Sequence, residues 1–247
     1  MPKMHQAPPA KPAIALAGAV GALLACAAIA STPARADILA PAGLAPGATF
    51  QLVFVTSTTT TATSTDITFY DNFANNVADS AGLGTYNGAG VTWHVLGSTA
   101  ASLAISTEPT TDTAPIYTLN GAEVAANAAA LWSGSLSAPI NIDQDGVAVR
   151  ELVWTGTNGQ GDVAYGIFPL GSSYGYSGVG LDGYTNSYWT LAGEDNEPFS
   201  AALYAISPVL TVPNSPTPTP EPATAAMLGL GLAGLWIARR RRTVRAP

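Results

Sequence analysis

Six short runs of β-branched and aromatic residues punctuate this chain: Leu52–Thr56, Val91–Leu96, Ile116–Leu119, Leu152–Gly156, Tyr188–Leu191 and Ala202–Ser207. Each is strand-length and bounded on at least one side by Gly, Asn, Ser, Thr or Pro, so each predicts a strand. One stretch has helical order instead. Ile67, Tyr70, Phe73, Ala74, Val77 and Ala81 recur at three- and four-residue intervals, Ser64, Thr65 or Asp66 can cap them, and Gly82 and Gly84 stop them. Tyr70 and Phe73 are expected to face the sheet. Val124–Trp132 is alanine-rich and predicts a short helix; Asn120-Gly121 predicts a tight turn. Thr56–Thr65 predicts a solvated loop or exposed strand. Residues 169–187, rich in Gly, Ser and Tyr, show no period.

Both ends differ from this middle. Lys3 and Lys11 precede a small apolar run, Ala13–Ala30, and Ala34-Arg35-Ala36 is a small-x-small site. That predicts a signal peptide over 1–36, cut by signal peptidase through Ala34 and Ala36. Leu23-Leu24-Ala25-Cys26 offers a rival reading, lipidation at Cys26. At the other end, Val212–Pro220 is a Pro/Thr linker. Then come Pro220-Glu221-Pro222, the apolar run Ala223–Ala238 and Arg239-Arg240-Arg241-Arg242. As a helix the run spans about 24 Å at ~1.5 Å per residue, somewhat under the ~30 Å hydrocarbon core. The arginines favour the cytoplasmic side. The expected order is 1–36 signal, 37–212 exported domain, 213–222 linker with the Pro-Glu-Pro motif, 223–238 transmembrane helix and 239–247 basic cytoplasmic tail.

This tail resembles the PEP-CTERM sorting signal of exported bacterial proteins. The resemblance implies recognition and cleavage by the membrane protease exosortase. Release from the cell, or attachment to extracellular polysaccharide, would follow. A plain tail anchor is the alternative.

Charge sharpens the picture. The chain carries 16 acidic and 9 basic residues. All 16 acids fall between Asp37 and Ala238, where Arg150 is the sole Lys or Arg, so the middle carries about −15. Nucleic-acid binding requires Lys or Arg against phosphate and is excluded on this ground. Adhesion to anionic lipid is disfavoured likewise. The single cysteine, Cys26, precedes the domain, so the domain has neither disulfides nor thiol chemistry.

Candidate chemistry is sparse. Asn141-Ile142-Asp143-Gln144-Asp145-Gly146 places oxygen ligands at Asn141, Asp143 and Asp145 before a turn glycine, as a calcium loop does. Leu152 stands where a bidentate acid would complete it, and an acidic surface turn is the competing reading. Glu194–Pro198 predicts a second acidic loop. His94, the lone histidine after position 5, is a weak general-base candidate without a nucleophile motif beside it. A carboxylate pair could hydrolyse glycosides, but no spacing singles out two acids.

One helix among several strands and long loops predicts an α+β, β-rich single domain. Ile116-Tyr117, Asn120-Gly121, Leu131-Trp132-Ser133-Gly134, Pro139-Ile140, Val153-Trp154-Thr155-Gly156 and Leu203-Tyr204 carry a further resemblance, across about residues 50–208. They resemble the C-type-lectin-like fold, in particular its endostatin-like branch. Members usually carry disulfides, and this domain has none. An all-β sandwich is the alternative. The functional expectation is a non-enzymatic surface or extracellular-matrix protein without cofactor. Two alternatives stand beside it. One is a calcium-dependent carbohydrate-binding module using the exposed Tyr/Trp loop at 174–189; the other is a carboxylate-based glycoside hydrolase.

Overall fold

The computed structural model describes residues 38–214. The signal segment with Ala34 and Ala36, and the tail with Pro220, Glu221, Pro222, the 223–238 run and Arg239–Arg242, lie outside the described residues. In chain order the strands are β1 (Thr49–Val55), β2 (Thr85–Tyr86), β3 (Ala89–Gly90), β4 (His94–Val95), β5 (Ile116–Thr118), β6 (Glu123–Ala125), β7 (Leu152–Trp154), β8 (Tyr176–Leu181), β9 (Gly193–Asn196), β10 (Ala202–Ile206) and β11 (Leu210–Thr211). The helices are α1 (Ile67–Ser80), α2 (Ala104–Thr107) and α3 (Ala128–Leu131).

Nine strands form one mixed sheet in the order β6-β5-β1-β10-β7-β8-β9, with β11 added to β1 and β4 to β10. The first and last long strands, β1 and β10, are antiparallel neighbours at its centre, Phe54 opposite Ala205. β5 runs parallel to β1, and β7 parallel to β10. The remaining β2–β3 hairpin stands apart.

The continuous apolar character of the central strands has a direct cause: both faces of the sheet are covered. Side chains alternate across a strand. Phe50, Leu52 and Phe54 of β1 therefore join Leu203 and Ala205 of β10 and Trp154 of β7 in one core. Val53 and Val55 join Ala202, Tyr204, Ile206 and Val153 in the other. Helix α1 covers the first face with Tyr70, Ala74 and Ala78, three buried positions spaced by four. Asp66 caps it through Thr68 N at 3.0 Å. Gly82 takes the left-handed conformation just past its end (φ 86°). Phe73 is only partly buried. The other face is closed by α2, α3 and the loops carrying Ile140 and Trp189.

Each tryptophan of the first core has a polar anchor. Trp93 Nε1 donates to Leu83 O at 2.9 Å, and Trp154 Nε1 donates to Thr60 O at 3.1 Å. Asn75 of α1 grips the backbone of Trp93 from both sides, donating to its carbonyl at 2.7 Å and accepting from its N–H at 2.8 Å. Asp71 accepts from Val95 N at 2.8 Å and lies 3.3 Å from His94 Nδ1. That hydrogen bond raises the His94 pKa. The histidine thus helps tie α1 to β4.

Several local expectations are corrected. Tyr188–Leu191 is not a strand: Ser187–Trp189 is a 3-10 turn capped by Asn186. Of Val124–Trp132, only Ala128–Leu131 is helical, because Val124 and Ala125 already pair with β5. The unperiodic stretch 169–187 contains β8, whose glycines at 178 and 180 hid the alternation. The acidic Glu194–Asn196 lies in edge strand β9, not in a loop. Of Val91–Leu96, only His94–Val95 is ladder-paired. Within the Thr56–Thr65 stretch, Ala62 is buried rather than solvated, and so is Thr56, which the predicted strand Leu52–Thr56 shares.

One buried polar pair stands out. Gln51 of β1 donates through Nε2 to Glu108 Oε2 at 2.8 Å and to Ser207 O at 3.2 Å. Gln51 Oε1 and Glu108 Oε1 are both buried with no donor. Two acceptors without a donor are costly, and a proton on Glu108 supplies one. Burial pushes the Glu108 carboxyl up to about 7, against the Gln51 hydrogen bond. Folding therefore favours the protonated acid. Stability should be greatest below the ordinary carboxyl pKa of 4.5 and decline as pH rises through about 7. Glu108→Gln copies the protonated form, so calorimetric melts between those limits should show a smaller decline of Tm with pH. An unchanged slope would refute the assignment.

Candidate functional site

The predicted calcium loop is a turn docked beside β1. Ile142 O accepts from Val55 N at 3.0 Å, and Asn141 O accepts from Val149 N at 2.9 Å. Asp143 is 5% exposed. Its Oδ1 accepts from the N–H groups of Asp145 at 3.0 Å and Val147 at 2.8 Å. Gly146 adopts the φ of 77° that the turn needs. Gln144 reaches across, donating to Ser57 Oγ at 2.6 Å and Asp145 Oδ2 at 2.9 Å. The acids are thus committed largely to shaping the turn. Among the described residues no group of three or more His, Cys, Asp or Glu side chains gathers where it could hold a metal ion. Beside the turn, Gln144 and Asp145 line a cleft of about 530 Å³ with Phe73, Asn76, Val77 and Ser80 of α1.

A second cleft, about 380 Å³, was not legible in the sequence. Arg150, Glu151, Leu152, Leu181, Asp182, Gly183 and Tyr184 line it. Antiparallel β7 and β8 bring 150–152 against 181–184, pairing Leu152 with Leu181. Asp182 is buried and accepts from Glu151 N at 2.8 Å. Burial pushes its carboxyl up to about 6; the Glu151 charge adds to this, and Arg150 opposes it. Tyr184 and Tyr188 meet edge to face outside, their centroids 5.8 Å apart. Trp189 is not part of any exposed aromatic loop. It is fully buried, stacked on Trp132 at 5.7 Å.

The most exposed aromatic cluster lies in the loops before β8. Tyr165 and Tyr174 are 57% and 64% exposed, and each meets Phe168 edge to face at 6.1 Å. Tyr165 sits at φ 50°, ψ 10°. A left-handed tyrosine costs about 1–2 kcal/mol, so the surroundings must enforce it. They do. Ala164 N donates to Gly156 O at 2.9 Å, Phe168 N to Ala164 O at 3.0 Å, and Gly178 N to Phe168 O at 3.0 Å. A Cβ on Gly178 would lie 2.5 Å from Ala164 Cβ, so glycine there lets the turn press onto β8.

Residues 218–242 match the PEP-CTERM protein-sorting motif. The match takes in Pro220-Glu221-Pro222, the apolar run and Arg239–Arg242, the residues singled out in the sequence. The sorting motif marks an exported protein handled by exosortase. It covers the tail and leaves the domain unassigned. No curated protein matches the chain. Among the described residues no helix is long and apolar enough to cross a membrane; the 223–238 run lies outside them.

Asp143→Ala removes an acceptor serving two backbone N–H groups. It should lower unfolding stability by about 1–3 kcal/mol. The loss should be equal with and without a calcium chelator in urea titrations. A loss appearing only when calcium is present would restore the ion to this turn.

Proposed function

We propose that this chain is an exported surface or extracellular-matrix protein with a non-enzymatic, structural or adhesive role. The sorting motif at 218–242 carries the reading. In it, the N-terminal segment is removed by signal peptidase after Ala36. The 223–238 helix holds the chain in the membrane until exosortase acts, and the domain then joins the cell surface or the extracellular polysaccharide. The lysine-free, acidic middle supports a life in water outside the cell. The domain is proposed to be C-type-lectin-like. The order strand, long helix, tryptophan strand, glycine-rich loops and closing strand at the sheet centre supports that. No cofactor enters this reading.

Glycoside hydrolysis is a second reading, supported by one observation: Asp182, held protonated to about pH 6, shares a cleft with Glu151. Polysaccharide turnover by the purified protein, abolished in Asp182→Asn, would favour it over the first.

The leading reading is checked by intact mass of the protein recovered from cells. Loss of residues 1–36 and of the segment beyond the Pro-Glu-Pro motif is expected. Replacing Pro220, Glu221 and Pro222 with alanine should leave the tail attached. Recovery of the whole polypeptide from the cytosol, both ends intact, would refute export.

A further inference from the structure

We propose that the rim formed by Tyr165, Phe168, Tyr174 and Tyr176 is a calcium-independent platform for a neutral polysaccharide. This rests on the adhesive reading above and names what is held.

The first support is presentation. Three tyrosines are exposed within twelve residues, and Phe168 braces two of them edge to face. Tyr176 stands two residues after Tyr174, at the start of β8. Surface aromatics scattered singly need no explanation, but a contiguous braced cluster does. The backbone of Tyr165 is left-handed, and its ring is exposed. Three backbone hydrogen bonds and the Ala164–Gly178 contact fix the turn beneath it. Rigid rings lose little entropy on binding.

The second support is charge, which selects the occupant. Residues 163–181 contain no Asp, Glu, Lys, Arg or His. The nearest charged residues along the chain, Asp162 and Asp182, are both acids. Arg150 is the sole Lys or Arg of residues 38–214, while only Asp37 and Glu221 of the 16 acids fall outside that range. Nucleic acid, acidic polysaccharide and anionic lipid are therefore repelled. A neutral partner meets no such barrier.

The third support is the residue type. Phe168 and the half-exposed Ile167 give the rim an apolar share, but its exposed rings are tyrosines, Tyr165, Tyr174 and Tyr176. Tyrosine presents an apolar face and a hydroxyl at its tip. A pyranose has the same division, with C–H groups on its faces and hydroxyls around its edge. Stacking on a ring face, with the edge hydroxyls meeting phenol and water, satisfies both partners without a metal.

The test is affinity electrophoresis of the full chain in gels containing a neutral glucan (hydroxyethylcellulose), a neutral mannan or acidic alginate. A neutral polysaccharide should retard the protein, unchanged by EDTA, and alginate should not. Tyr165→Ala with Tyr174→Ala should weaken retardation about tenfold or more. Tyr165→Gly should weaken it as well without lowering Tm, because glycine relieves the left-handed strain; this separates binding from folding. The proposal is overturned by lack of retardation in both neutral gels, by loss of binding in EDTA, or by equal retardation in alginate. It is also overturned if the double variant abolishes self-association in sedimentation, or binding to phosphatidylcholine vesicles, while leaving glucan and mannan retardation intact. Processing of the chain ends is read separately by intact mass, so either idea can fail alone.

Discussion

The β1–β10 pairing is the constraint on which the rest of this domain depends. These two strands lie some 150 residues apart in sequence, yet they exchange ladder bonds from Val53–Ile206 to Val55–Tyr204 at the middle of the sheet. Everything between them is a closed excursion from that pair. Because both are covered on both faces, neither can slip by one residue without sending Phe54 and Leu203 into the opposite core. Register and the two cores are one choice.

Without disulfides, the long loops of this excursion are secured by buried polar contacts. Indole N–H groups reach backbone carbonyls at Leu83, Thr60 and Glu108. Asn75, Asp71 and Ser207 do the same work from side chains onto strand backbone. Each such bond is worth about 0.5–1.5 kcal/mol net, but leaving its buried partner unsatisfied costs more. The fold therefore tolerates little disturbance at these positions. Glu108 belongs to the same system, and there the missing donor is a proton.

The same economy frees the outer surface. Glycines in β8 let loop backbone lie directly on the sheet, and the aromatic rings displaced from the interior stand on the rim. The rim segment 163–181 is uncharged, and residues 38–214 carry a single Arg or Lys, Arg150, so the net charge of the domain is strongly negative. An address at one end and a water-facing acidic domain are physically compatible parts of one chain.

The sequence by itself determined what depends on neighbours along the chain. The sorting motif is a contiguous run of three compositions, and α1 with its Gly82 stop is a local pattern, so both were readable; the choice of Asp66 over Ser64 and Thr65 as its cap came from the structure. The central strands were readable because burial on two faces leaves an apolar run. What required the tertiary structure was whatever depends on distant partners. Trp189 looks like part of an exposed loop until Trp132 is stacked on it, and Tyr188-Trp189 looks like a strand until the cap at Asn186 turns it. Asp182 meets Glu151 only through the β7–β8 register, and Tyr165 acquires its conformation from a turn pressed onto a glycine thirteen residues away. Local periodicity reports burial and chain direction; it carries no record of which buried group faces which.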